Sequence, residues 1–275
     1  MNAINGIYDN NEPKLTGYSA GKVKAGVSET LYGIFHDANN GVNGEIDEGV
    51  FQGKQGDCWL ISGILSLSYT DEGKEIIKNA ISQNENGDYE VYFKGIDKTY
   101  TVTKDELDEV NISSLKNGLG LSKSKYSTGD DDMLLIELAL EKIIDEGEVP
   151  IETIDGLTGG SAYYLYQLFT DNAVGYAYGD DKDELATLLQ YYEQYQDVCS
   201  ATLGVEDGFS GLEDDHAYAI KSFDGSIMTL VNPWDSTKEV EVSTKDLMKN
   251  IGSYDLSVTD SSLYEDMSWE EEYYA

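Results

Sequence analysis

The chain has 275 residues, 40% of them hydrophobic and 21 of them tyrosine, enough to bury a sizeable core in one large domain or two packed lobes. Fifty-three acidic residues stand against eighteen basic ones, all lysine, for a formal charge of -35. That balance argues against nucleic-acid and anionic-membrane partners, whose binding depends on basic side chains, and the lack of arginine excludes a bidentate guanidinium clamp.

No run approaches the roughly 18 apolar residues of a membrane span, and the N-terminal residues have neither the basic start nor the apolar stretch of a secretory signal. The two cysteines, Cys58 and Cys199, cannot hold a disulfide scaffold. A cytoplasmic location is expected; the sequence says nothing of oligomeric state.

Residues 1–45 are rich in Gly, Asn, Asp and Ser and read as a loop-rich lead-in. Within and just beyond it, Asp37–Asp47 has the flavour of a calcium loop. With Gly44 at the sixth position, however, Asn39 is first, Gly41 third and Val50 twelfth, so the closing bidentate acid is missing. From Cys58 the pattern becomes a buried helix, with Trp59, Leu60, Ile61, Ile64, Leu65 and Leu67, fading near Tyr69. Tyr89–Lys94 and Thr99–Thr103 read as a hairpin. Met133–Glu146 reads as a helix with an acidic start and a Gly147 stop, followed by helices at Ala162–Thr170 and Asp183–Gln194. Strands follow at Asp197–Leu203, His216–Phe223, Ser226–Asn232, Glu239–Val242 and Asp255–Val258, with Asp224-Gly225 as a hairpin turn. The expected fold is α+β and two-lobed. A helix-rich lobe at 46–195 would carry the Cys, a β-rich lobe at 196–262 would follow, and 263–275 would form an acidic tail.

Cys58 stands at the expected helix start, where free backbone N–H groups favour a thiolate. Gly53 and Gly56 would let a substrate backbone come close. A nucleophilic Cys needs a base, and the base needs an orienting group. Of two histidines, His36 reads as a surface residue, whereas His216 opens a strand whose hairpin partner closes with Asn232. Both then lie at the same end of the sheet, with His216 158 residues after the Cys. Asp215 is expected to support an imidazolium at His216 if the two side chains lie close.

Gln52-Gly53-Lys54-Gln55-Gly56-Asp57-Cys58-Trp59-Leu60-Ile61-Ser62-Gly63 resembles the active-site signature of the calpain family of papain-like cysteine proteases. His216-Ala217-Tyr218-Ala219-Ile220 and Asn232-Pro233-Trp234 resemble its His and Asn motifs, and Leu138–Lys142 and Leu157–Gly160 resemble segments between them. The resemblance covers about 45 to 260 and is to the bare catalytic domain of the bacterial type. It implies a two-lobed papain-like fold and a cysteine endopeptidase acting on polypeptides. Cys58 would be nucleophile, His216 base, Asn232 its orienting group and Gln52, six residues before the Cys, an oxyanion-hole donor, with Gln55 a decoy. Trp234 would shield the His–Asn pair or simply pack in the core. A Cys-His-Asn deamidase or acyltransferase, and a non-catalytic binding domain, are the alternatives.

The chain departs from the family pattern at Asp214-Asp215, at Phe169-Thr170-Asp171-Asn172 and at Glu48-Gly49, where an Asp that ligates calcium is common. Asp155 is the one carboxylate near where a second ligand would fall. No cofactor or metal ligand is therefore expected to be required; Ca2+ could bind loosely without being needed.

Overall fold

The computed structural model describes residues 41–46, 49–118, 124–147, 149–170 and 174–259. His36, Glu48, Asp171, Asn172, nearly all of the lead-in and the acidic tail lie outside the described residues.

A continuous apolar run makes the first helix, α1, Cys58–Leu67, which is buried at every position from Trp59 onward. A helix with no solvent face must pass through the interior. Leu60, Ile61 and Ile64 are fully buried, each stabilising the fold by about 2 kcal/mol relative to exposure. Two helices that the hydrophobic pattern did not suggest follow: α2, Asp71–Ala80, and, after a hairpin, α3, Lys104–Gly118. α2 buries only Gly73, Ile77 and Ala80, and the Thr70 hydroxyl caps it by accepting the Gly73 N–H at 3.0 Å. The hairpin strands β2, Tyr89–Phe93, and β3, Lys98–Val102, pair antiparallel, and a short β1, Ile81–Gln83, adds a third strand.

α4, Asp131–Glu146, starts two residues before the expected Met133 because Asp130 caps it, its Oδ1 accepting the Met133 N–H at 2.7 Å. Gly147, at φ 65°, ends it. α5 is Ala162–Phe169. A Cβ at Gly63 would lie 2.4 Å from Leu165 Cδ2, so the glycine lets α1 and α5 close on each other.

The other half is a six-stranded antiparallel sheet. Its strands are β4 (Val174–Tyr178), β5 (Cys199–Val205), β6 (His216–Phe223), β7 (Ile227–Val231), β8 (Glu239–Ser243) and β9 (Ile251–Val258), in the order β4-β9-β5-β6-β7-β8. The β6–β7 turn is built as its sequence suggests: Asp224 Oδ1 accepts the Ser226 and Ile227 N–H groups at 2.9 and 2.7 Å, and Gly225 sits at φ 81°. Two helices, α6, Lys182–Tyr195, and α7, Thr244–Asn250, accompany the sheet. Leu185, Leu188, Leu189 and Tyr192 of α6 bury in the same cluster as the strands, although α6 precedes residue 195.

The fold is α+β with antiparallel sheets, as expected. Buried residues form two clusters, one around α1, α4 and α5 and one on the six-stranded sheet. α1 packs directly against β5 and β6, and the Ser62 hydroxyl donates to the Ala217 carbonyl at 3.1 Å. The start of the cysteine helix is thereby held to the start of β6.

Candidate active site

Cys58 occupies the first turn of α1, where the Leu60 and Ile61 N–H groups already bond the Asp57 carbonyl at 3.0 and 3.1 Å. The thiol is not depressed as the helix start suggests. Burial pushes it up, and the Asp57 charge pushes the same way. Hydrogen bonds from the Ala217, Trp59 and Cys58 backbone oppose this without prevailing. Desolvation of a thiolate outweighs the partial charges of one helix end. Ala217 follows His216, so the thiol lies against the opening residues of β6.

His216 is buried, 5% exposed, and its Nε2 lies 2.9 Å from Asn232 Oδ1. The same oxygen accepts the Trp234 backbone N–H at 2.9 Å, which fixes it as an acceptor. His216 Nε2 must then carry the proton, leaving Nδ1 as the acceptor of the neutral ring. Burial lowers the His216 pKa; Asn232 and the Glu213 charge act against it. Asp215, expected to support an imidazolium, contributes nothing resolvable: it is exposed at φ 48° with its N–H on the Glu206 carbonyl. The Trp234 ring tilts over His216 with centroids 4.4 Å apart and stays 49% exposed, which makes it a cover for the imidazole and not a core residue.

Gln52 reaches the same place from the other side. Its backbone N–H donates to the Pro233 carbonyl at 2.9 Å, while Nε2 donates to the Gln55 carbonyl at 2.8 Å and to Asp57 Oδ1 at 2.9 Å. Gln55 thus contributes its carbonyl to Gln52. The Ser236 hydroxyl accepts the Gly49 and Val50 N–H groups at 3.0 and 2.8 Å, and the Ser236 N–H returns to the Val50 carbonyl at 3.0 Å. The segment that carries Gln52 is thereby clasped to the loop that carries Asn232 and Trp234.

At Gly53 and Gly56 the lack of a side chain lets the chain pack closely against itself. A Cβ at Gly53 would lie 2.3 Å from the Lys125 carbonyl oxygen, and one at Gly56 would lie 2.7 Å from Thr158 Cγ2. Trp59 is core, 2% exposed, with Nε1–H donating to the Leu157 carbonyl at 2.7 Å.

Sequence reasoning missed Glu137. It is fully buried in α4, accepts the Ser127 N–H at 3.2 and 3.0 Å, accepts the Ser127 hydroxyl, and lies within hydrogen-bonding reach of Asp57. Burial and the Asp57 charge hold its carboxyl well above the usual range, and burial raises Asp57 as well. The available signal was an acid set among Leu134, Ile136, Leu138 and Leu140.

Asp132 spends both oxygens on the Asn43 and Gly44 N–H groups at 2.9 and 3.0 Å, Asp155 is exposed, and no three His, Cys, Asp or Glu side chains gather among the described residues. No helix there is long and apolar enough to cross a membrane.

An α+β fold in which a cysteine opens a buried helix packed across an antiparallel sheet defines the papain-like class of cysteine peptidases. Comparison with protein families narrows this: the family of calpain cysteine proteases matches residues 33–246, and the chain belongs to it. It is therefore a cysteine-type peptidase, a hydrolase whose substrates are peptides. No curated protein sequence matches the chain significantly.

Proposed function

We propose that the protein is an endopeptidase working through Cys58, His216 and Asn232, with Gln52 assisting at the oxyanion. The observation that carries this is the His216–Asn232 pair, whose acceptor is fixed by the Trp234 N–H. His216 Nδ1 takes the Cys58 proton, and the thiolate attacks the scissile carbonyl. The negative oxygen is met by the Cys58 backbone N–H and one Gln52 amide N–H. The imidazolium gives its proton to the leaving amine, and the neutral ring then activates water to hydrolyse the thioester. Asn232 keeps the ring oriented through both steps, and Trp234 keeps water off their hydrogen bond.

Catalysis proceeds without bound calcium in this reading. The Ser236 clasp supports it, since its hydrogen bonds tie the Gln52 segment to the Asn232 loop. Incubation with peptides and a Cys58→Ser control is the test. New peptide termini that depend on Cys58 are expected; ammonia release without new termini would indicate a deamidase instead.

A further inference from the structure

Two fully buried carboxyl groups lie side by side directly behind the cysteine, and the mechanism above uses neither. Asp57 and Glu137 are both 0% exposed. Asp57 Oδ1 accepts the Gln52 Nε2–H at 2.9 Å, while Oδ2, buried, has no donor among the described residues. Glu137 lies within hydrogen-bonding reach of Asp57, and its two oxygens accept the Ser127 N–H and, at Oε2, the Ser127 hydroxyl. The other groups around the pair are few. Gln52 and Gln55 approach from the segment before α1, and Cys58 from α1 itself. The loop before α4 brings Ser127 and Lys125, whose ammonium is already on Glu141 Oε1 at 2.5 Å and Tyr126 OH at 2.9 Å. Among the described residues the Lys125 charge favours the Asp57 anion only weakly, and two carboxylates sharing such a buried site cannot both ionise. One proton between them gives the orphaned Asp57 oxygen its partner.

We propose that Asp57 and Glu137 share a single proton and together act as the positioning pair for the Gln52 amide. The inference rests on Gln52 serving the oxyanion. Both Nε2 hydrogens of Gln52 are engaged at rest, by the Gln55 carbonyl and by Asp57 Oδ1. For an N–H to reach a developing oxyanion, Asp57 must release it. As it does, the shared proton moves from the Glu137 oxygen to the Asp57 oxygen: one O–H bond breaks, one forms, and the negative charge settles on Glu137. Ser127 holds it there with its N–H and O–H, one residue layer farther from the Cys58 thiolate. Such a pair makes the amide firm at rest and releasable as the oxyanion develops.

The substitutions Asp57→Asn and Glu137→Gln separate this from a structural role. Each keeps a hydrogen bond and one negative charge in the pair, but D57N fixes the charge on Glu137 and E137Q fixes it on Asp57, where it holds the Gln52 N–H. With both variants folded by circular dichroism and still alkylated at Cys58, D57N should lose severalfold less kcat than E137Q. E137Q should lose about tenfold or more in kcat with KM changed less than about twofold. The wild-type protein should also show the infrared carbonyl band of a protonated carboxyl at pH 8, absent from both variants. That readout does not depend on peptide hydrolysis. If the wild-type protein cleaves no peptide but shows the band, the endopeptidase reading fails and the shared proton stands. Absence of the band, equal kcat loss in the two variants, or a larger loss in D57N would overturn the proposal.

Discussion

Replacing His216 by Ala should strip Cys58 of its thiolate, and the size of the effect follows from where the thiol sits. Burial raises the Cys58 pKa, the Asp57 charge adds to it, and the backbone N–H groups do not make up the difference. Even an ordinary thiol of pKa about 8.5 is ionised to only about one part in 300 at pH 6; a buried one is ionised less. In the proposed Cys58–His216 ion pair the thiolate is the main species. The variant should therefore lose at least about 300-fold in thiolate fraction at pH 6, read by thiolate ultraviolet absorbance. Alkylation rates fall by less, because a more basic thiolate is a better nucleophile. Their pH dependence is the sharper readout. Iodoacetamide labelling of the wild-type protein should change by less than about threefold between pH 5 and 7, whereas that of H216A should rise about tenfold per pH unit. Cys199 supplies an internal control: it is 1% exposed at the start of β5, and burial pushes its thiol to about 12. It should stay unlabelled until the protein unfolds. A wild-type rate that climbs tenfold per unit, or equal labelling of the two cysteines, would refute the pairing of Cys58 with His216.

Gln52→Ala should lower kcat by roughly 10²–10³-fold, the scale of one lost oxyanion donor. Gln55→Ala should matter little, because what Gln55 gives Gln52 is a backbone carbonyl; the reverse order in peptide turnover would undo the assignment. Asp255 predicts a pH-dependent stability. Burial raises its pKa from 3.8 to about 6, against the hydroxyls of Ser161 and Thr202. The folded state thus binds the proton more tightly than the unfolded one, and its contribution, present below pH 4, is lost as pH rises through 6. The loss amounts to about 3 kcal/mol at 1.36 kcal/mol per pKa unit. Denaturant unfolding of wild type and Asp255→Asn at pH 3.5 and 7 should show their stability difference moving by about that much against the wild type; no movement would mean that Asp255 is solvated. Finally, peptide cleavage should persist in EDTA, and any Ca2+ effect should fade at physiological salt, where diffuse attraction to the acidic surface is screened. A strict, salt-resistant calcium requirement would contradict this.

How much was legible depended on whether the signal was local. The buried helix from Cys58 reads directly from its run of apolar residues, and it spans Cys58–Leu67 because that run ends at Leu67. The β6 strand, His216–Phe223, and the Asp224-Gly225 turn carry their period and their turn chemistry within a few residues. The closeness of His216 to Asn232 follows from that hairpin, although the 2.9 Å bond is diagonal: the register pairs Ala219 with Val231, so Tyr218, not His216, is level with Asn232. Other features were decided by contacts distant in sequence. α2 is half charged and is a helix because Ile77 and Ala80 find a core to bury in. β9 slots between β4 and β5, a pairing that no local pattern encodes. The Cys58 thiol is raised and not lowered, because the depth of burial, which the sequence does not reveal, outweighs the helix end, which it does. Glu137 reads in the sequence as one acid in an apolar helix. Only the packing of α4 beside residue 57 sets its carboxyl against that of Asp57, where neither can shed its charge to water.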